Sequence, residues 1–445
     1  MAPTSAVSYS RHAWHNKTGS RGGCRSATIP KGSLIGRDEP KDGNMVSVID
    51  EAPADDADAD ALLAAAADLV PLLSSNASRG DAERRLPEEN LHALREAGLL
   101  RLMQPRRFDG FEVSFATKLA LMRELGRGDG ATAWVASLMT GNACFASMCG
   151  DDIQEDIWGA DRDALVAAVI STEGSLDRVG AGFRLSGRWP YCSGALHAQW
   201  MMLGAEVSDR DLDEDRLGLV FVRASELTIE DTWHVAGMRG TGSNTVIAHD
   251  VSVPSHRFVP LSKLLSDEHA VNPHRSPLYR VPFAAAASTD LLGPHLGMAC
   301  AARDLVLSCL EERGIAGTTY VTATDSPTTR AVIAEAAYHI DVAGMLAHSA
   351  VMQVDQAGIV GAVPSLLERA RIKMHATRAV VHAREAVRRL VAVHGSRTFA
   401  EGQPLQRIWR DCETASHHAS SNPAIADEAY GRALLGITET VTVMI

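Results

Sequence analysis

Gly187-Arg188-Trp189-Pro190-Tyr191-Cys192-Ser193-Gly194 follows an alternating run, Phe183-Arg184-Leu185-Ser186, and leads into Trp200-Met201-Met202-Leu203-Gly204-Ala205. Alternation and short apolar runs bounded by turn residues are strand signals, so the stretch lies within a β-rich segment. It gathers a planar aromatic, a proline without an N–H, a thiol, a hydroxyl and a flexible glycine. Those groups suit the edge of a flat, polar, redox-active ring. They equally suit a strand, a tight turn and one buried tryptophan.

Further strand-like runs surround it: Leu165 to Ile170, Leu217 to Val222, Leu227-Thr228-Ile229, Trp233-His234-Val235 and Thr245 to Ala248, with Val253-Pro254 closing the unit. Gly180-Ala181-Gly182 and Gly237-Met238-Arg239-Gly240 supply turns. Regular short strands with such turns predict an antiparallel sheet or barrel over 161–262. Upstream the pattern is helical. Ala61 to Leu73 reads as a helix with a possible kink at Pro71, Pro87 suits a first helical turn, and helices are expected over Ala116 to Leu125, Ala131 to Met148 and Ile153 to Trp158. Downstream, Phe283 to Glu312 is a long apolar run interrupted at Gly293-Pro294, and Ala331 to Gln356 is another. In Pro364 to His394, residues Ile372, Ala376, Ala379, Ala383, Val387 and Leu390 share one face, the spacing of a bundle helix. The expected order is thus a helical domain (51–160), a β domain (161–262) and a helix bundle (263–445). That is an α+β class with a crevice where the three meet, a usual place for a cofactor. Residues 1–50 are rich in Ser, Gly, Arg and Lys without apolar periodicity and read as a disordered tail; Met45 is a plausible initiator.

The chain has 445 residues, 46% of them apolar, and a net charge of −12. That balance argues against a nucleic-acid or membrane-surface binder, which needs clustered Lys and Arg. No apolar run reaches the roughly 18 residues that span a bilayer. Seven scattered cysteines form no CxxC pair, so neither a metal site nor a disulfide framework is expected, and a reducing cytoplasm fits best.

Specific residues sit inside this layout. Thr232-Trp233-His234-Val235-Ala236-Gly237-Met238-Arg239-Gly240-Thr241-Gly242-Ser243, followed by Val251-Ser252-Val253-Pro254, resembles the G-M-R-G-T-x-S … V-x-V-P element of the acyl-CoA dehydrogenase superfamily. Gly187-Arg188-Trp189 resembles its flavin-lining G-x-K/R-W strand. Arg313-Gly314-Ile315-Ala316-Gly317 is similar to its R-x-x-F-G turn near the flavin diphosphate, with Ala316 in place of Phe. The dehydrogenases' late Y-E-G-T motif, which carries their carboxylate base, is missing. Instead Trp409-Arg410-Asp411 with His418 seven residues after Asp411, then Tyr430-Gly431-Arg432-Ala433-Leu434-Leu435-Gly436, is similar to the oxygenase branch. This branch comprises the oxygenase components of two-component flavin monooxygenases of the p-hydroxyphenylacetate hydroxylase kind.

The resemblance implies a mechanism and a set of residues. A separate reductase supplies FADH2 or FMNH2, O2 adds at flavin C4a to give a hydroperoxide, and one oxygen passes to an electron-rich aromatic carbon. Ser193, or Cys192 one place away, would accept a hydrogen bond from reduced flavin N5–H. Trp189 would pack near the ring or in the core. Arg239, Thr241 and Ser243 would touch flavin or hold the β turn, and Arg313 would serve the cofactor. His418 is the candidate base. A phenol near pKa 10 and an imidazole near 6.5 differ by about 3.5 units, making full deprotonation uphill by roughly 5 kcal/mol. Concerted proton removal, or stabilisation of a phenolate, therefore suits His418 better. Asn142 stands where related phenol hydroxylases carry a histidine, and an amide donates a hydrogen bond without exchanging a proton. Amino-sugar N-oxygenation therefore stays as an alternative, followed by an acyl-CoA dehydrogenase and a non-catalytic scaffold. Arg410 and Asp411 are expected to form a structural ion pair. A homotetramer, assembled through the Ala-rich bundle helices, is the expected state.

Overall fold

The computed structural model describes residues 57–208, 215–312 and 314–445. The expected tail over 1–50 and the candidate Arg313 lie outside the described residues. The first domain contains α1 (Ala57–Glu83), α2 (Glu88–Glu96), α3 (Phe115–Gly128), α4 (Gly130–Cys149) and α5 (Asp151–Trp158). α1 runs through Pro71 and ends ten residues beyond the expected Leu73. By length and mean hydropathy alone it could cross a bilayer, although Asp68 and Ser74-Ser75-Asn76 interrupt its apolar residues. Its buried Leu62, Ala66, Leu73 and Ala77 instead form one stripe against the core, the pattern of a bundle helix. α4 is buried on almost every side, as expected of a helix that is apolar all round. Asp129 starts it by accepting the Thr132 N–H at 2.9 Å, an N-cap.

The sheet contains β1 (Val166–Val179), β2 (Gly182–Cys192), β3 (Trp200–Val207), β4 (Leu217–Arg223), β5 (Thr228–Glu230), β6 (Asn244–Pro254) and β7 (Phe258–Pro260) in the order β5-β6-β2-β1-β3-β4-β7. All recorded pairs are antiparallel except β1 with β3, which is parallel. This one departure from the antiparallel expectation has a topological cause. After the β1–β2 hairpin, residues 193–199 carry the chain across to the free edge of β1 instead of turning back on β2. Parallel neighbours need such a crossover, and Ser193 stands at its start. The expected strand at Trp233-His234-Val235 is a loop. The backbone N–H groups of Thr232 and Trp233 both donate to Asn244 Oδ1 at 3.0 Å, a side-chain bond that replaces a ladder.

The C-terminal part contains α6 (Leu261–Leu265), α7 (Phe283–Thr289), α8 (Leu292–Cys309), α9 (Pro327–Val360), α10 (Leu366–His394), α11 (Pro404–Ala415) and α12 (Pro423–Leu434). The break expected at Gly293-Pro294 falls at Asp290-Leu291, and Pro294 sits in the first turn of α8, where a missing N–H costs nothing. All six face residues expected in α10 are buried. The two helical parts are joined by a charge. Asp355 of α9 accepts the Phe115 and Ala116 N–H groups at 2.9 and 3.0 Å, capping α3 from outside. Burial outweighs those bonds and pushes its carboxyl up to about 6.

Asp355→Ala leaves two N–H groups at the start of α3 without their acceptor. Chemical denaturation is expected to show a loss of about 2 kcal/mol, with Asp355→Asn intermediate because it keeps one acceptor oxygen.

Candidate active site

Trp134, in the second turn of α4, is the residue about which the candidate groups gather. Its indole N–H donates to Ser193 Oγ at 3.3 Å. Its ring meets the His418 ring edge-on, with centroids 5.5 Å apart and planes at 75°. A second histidine, His295 of α8, packs at 5.8 Å and 62°. Ser193 and His418 come from the β crossover and the turn after α11, far apart in sequence, and one indole bridges them. Trp134 and His295 escape a reading of the sequence, since both look like ordinary residues of apolar helices.

Ser193 is placed by its neighbour. Gly194 has φ +74°, and a Cβ there would meet Met139 Cε at 2.8 Å and Val135 Cγ1 at 2.9 Å. Only glycine lets the loop lie this close to α4. From Ser193 a chain of hydroxyls runs inward. Ser193 Oγ and Ser243 Oγ are 2.7 Å apart, Ser243 Oγ and Thr241 Oγ1 are 2.6 Å apart, and Thr241 donates to the Met238 carbonyl at 2.8 Å. Thr241 and Ser243 are buried, whereas Ser193 is half-buried.

His418 is exposed by area, yet the protein around it lowers its pKa by desolvation. Both observations describe a ring packed by protein on some sides and open to solvent on another. Its Nδ1 lies 2.8 Å from Ser420 Oγ and accepts the Ser420 backbone N–H at 3.3 Å. A backbone N–H only donates, so the proton of the neutral ring sits on Nε2. His418 therefore presents an N–H on its remaining nitrogen rather than the lone pair a base needs. His417 turns away to the Glu413 carbonyl at 2.7 Å. Burial pushes His295 down to about 4, and its Nδ1 is bonded to the Leu291 carbonyl at 2.8 Å.

Other candidates lie elsewhere. Asn142 is buried, and its amide donates to the Val166 carbonyl at 3.0 Å, tying α4 to β1. Trp189 is completely enclosed, donates to the Gly204 carbonyl at 2.7 Å and packs on Gly174 and Gly187. It is a core residue and has no face open to a cofactor. Cys192, the last residue of β2, faces the core beside Met201, with Sγ–Sδ 3.9 Å, after a register shift between Trp189 and Cys192 and a left-handed turn of the backbone at Tyr191. Of these two neighbours, Ser193 is the one that meets Trp134, and Cys192 is enclosed in the core. Arg239 reaches back to α1, donating to the Asp81 carbonyl at 2.8 Å and the Val235 carbonyl at 3.2 Å. Arg410 and Asp411 are not paired with each other, since neighbours on a helix point about 100° apart. Arg410 binds Asp81 at 3.1 Å and the Ala236 carbonyl. Asp411 is buried and accepts the Met238 N–H. Gly237 lies so close to α11 that a Cβ would sit 2.1 Å from the Arg410 carbonyl oxygen.

Two helical parts around a mixed sheet, with this polar cluster between them, define the acyl-CoA dehydrogenase type of architecture. The family model "Acyl-CoA dehydrogenase, N-terminal domain" matches residues 58–161, and "Acyl-CoA dehydrogenase, C-terminal domain" matches residues 291–423. HsaA of Rhodococcus jostii (strain RHA1), the oxygenase subunit of a flavin-dependent monooxygenase, is 31% identical over 378 residues, spanning 84% of this chain and 98% of its own. The oxygenase component of an FADH(2)-dependent resorcinol hydroxylase from Rhizobium sp. (strain MTP-10005) is 29% identical, spanning 84% and 94%. XiaF from Streptomyces sp., solved with FADH2 and glycerol, superposes with a TM-score of 0.83 at 32% identity over 86% of this chain and 97% of its own. The chain belongs to the acyl-CoA dehydrogenase superfamily and, within it, to the oxygenase components of flavin-dependent monooxygenases.

Burial, with the nearby charges of Asp129 and Asp81, pushes the Asp411 carboxyl up to about 7 against the opposing Met238 N–H bond. An unfolded aspartate titrates near 3.9. The folded state therefore binds this proton more tightly, so the stability that Asp411 contributes is fully present below about 4 and is lost as pH rises to about 7. The slope is at most about 1.4 kcal/mol per pH unit. Wild-type protein is expected to lose more unfolding free energy between pH 5 and pH 8 than Asp411→Asn, compared by denaturant titration at each pH.

Proposed function

We propose that this enzyme hydroxylates an electron-rich aromatic small molecule, with reduced flavin seated against Ser193 and the substrate hydroxyl against His418. The observation that carries the reading is the meeting of Ser193 and His418 on opposite parts of the Trp134 indole. The groups present fit a reduced flavin: a half-buried hydroxyl with an acceptor lone pair faces the cleft, backed by two buried hydroxyls. When bound and reduced, the flavin supplies two electrons to O2 so that one oxygen atom can be delivered to a ring carbon. The "FADH2" in the names of two relatives supports FADH2 over FMNH2. Oxygenase components of two-component systems receive reduced flavin from a separate reductase, which accounts for the second partner.

Desolvation holds His418 below its ordinary pKa, so removal of a phenolic proton by its ring becomes still less favourable than for a free imidazole. Its N–H instead donates to the substrate oxygen and stabilises negative charge as it develops there. The Trp134 edge contact and the Ser420 bonds hold the ring in place. Asn142, committed to Val166, lends no support to N-oxygenation. Cys144, Cys149, Cys192, Cys300 and Cys412 carry no disulfide, which supports a reducing, cytoplasmic location. Tyr338, Met345, Met352 and Ile359 of α9 are exposed at every seventh position, one continuous apolar stripe that supports self-association into the homotetramer.

Protein loaded anaerobically with FADH2 and mixed with O2 and a phenol is expected to oxidise its flavin in more than one phase and to yield hydroxylated product. A single phase at the rate of free flavin, with peroxide release and no product, would sink the proposal. His418→Ala is expected to lower hydroxylation about 100-fold or more, and His418→Gln, which keeps a donor, to retain substantially more; equal loss in both would point to a base. Met345→Glu with Met352→Glu is expected to reduce the sedimenting mass, the wild type running as a tetramer.

A further inference from the structure

The hydroxyl chain behind Ser193 has a direction, and the direction follows from counting hydrogens. The Met238 carbonyl can only accept, so the Thr241 hydroxyl hydrogen points to it at 2.8 Å. Thr241 then has only lone pairs left for Ser243 at 2.6 Å, and Ser243 must donate. Its hydrogen used, Ser243 can only accept from Ser193 at 2.7 Å. Ser193 therefore gives its sole hydrogen inward, while the Trp134 indole N–H, a donor only, occupies one of its lone pairs. One lone pair remains. The anchor cannot yield easily, because the Met238 carbonyl also takes the Trp233 indole N–H at 2.9 Å and the Met238 N–H is held by Asp411.

We infer that Thr241 and Ser243 are positioning residues that lock Ser193 as a hydrogen-bond acceptor, so that the site selects reduced over oxidised flavin. This rests on the reading of Ser193 as the hydroxyl facing flavin N5. Reduced flavin carries a hydrogen on N5 and can donate to the free lone pair. Oxidised flavin has a bare N5 that needs a donor, and Ser193 has none to offer; two lone pairs face each other instead. The same lock that admits the reduced cofactor from the reductase favours release of the oxidised one after turnover. Neither Thr241 nor Ser243 has to touch the flavin for this to operate.

The test is equilibrium binding, without turnover. Dissociation constants for reduced FAD and FMN are measured anaerobically, and those for the oxidised forms in air, for wild type, Ser193→Ala, Ser243→Ala and Thr241→Val. Ser193→Ala is expected to weaken reduced flavin about tenfold, the size of one hydrogen bond, and to leave oxidised flavin no weaker. Ser243→Ala frees the Ser193 hydrogen to turn outward. It should leave reduced flavin nearly unchanged and tighten oxidised flavin about tenfold, raising the share of oxidised flavin retained. Thr241→Val, which removes the inner acceptor while keeping the side-chain shape, should move the oxidised form in the same direction. A merely structural role would weaken both redox forms together. If Ser193→Ala weakens reduced flavin but neither inner variant tightens oxidised flavin, the lock is refuted and the Ser193 assignment survives. If Ser193→Ala changes neither form, the assignment itself fails.

Discussion

The peptide unit of Met238 is held on both of its polar sides, and the cleft depends on that grip. Its N–H is taken by Asp411 of α11, and its C=O by the Thr241 hydroxyl and the Trp233 indole. Its φ of +56° is unusual for a residue with a side chain, and such a conformation persists when its surroundings over-determine it. α1 contributes as well, since Asp81 binds Arg410 and receives Arg239. The turn that carries Thr241 and Ser243 is thereby clamped between the first and last helical parts of the protein. The hydroxyls thereby inherit a fixed position from α1 and α11.

Trp134 performs the complementary task from the other side. A helix buried all round has no solvent face to satisfy, so its polar groups turn inward. Trp134 reaches Ser193, Ser137 reaches the Asp290 carbonyl, and Asn142 reaches Val166. One rigid element thus locates the sheet, the crossover loop and α8 relative to one another. Precision of this kind is easier to build on a helix than on the loops that carry Ser193 and His418.

How much of this could be read from the chain follows from the range of the interactions involved. Periodicity is local, so the three-part order, the buried face of α10 and most strands were legible. The loop at Trp233 was not, because the bond that replaces its ladder comes from Asn244, and no alternation pattern contains it. Ser193 and His418 could be named through motif resemblance, yet their meeting point could not, because Trp134 is one apolar residue among many in its helix. Trp189 carried a motif and proved to be core, since a resemblance gives a position in sequence and not the direction in which the side chain points. Arg410 and Asp411, adjacent in sequence, invited pairing; the helix sends one to α1 and the other to the Met238 turn.

The backbone turn at the end of β2 brings Ser193 to Trp134 and leaves Cys192 enclosed in the core. Burial pushes the Cys192 thiol up to about 12, and Cys412 likewise, behind the cleft. A protonated, enclosed thiol is inert, because oxidation begins from an exposed thiolate. An enzyme that handles oxygen activated by flavin leaks some peroxide with its turnovers, and sulfur is the first casualty of such leakage. The packing that encloses Cys192 and Cys412 thus bears on the working lifetime of the catalyst, separately from its chemistry.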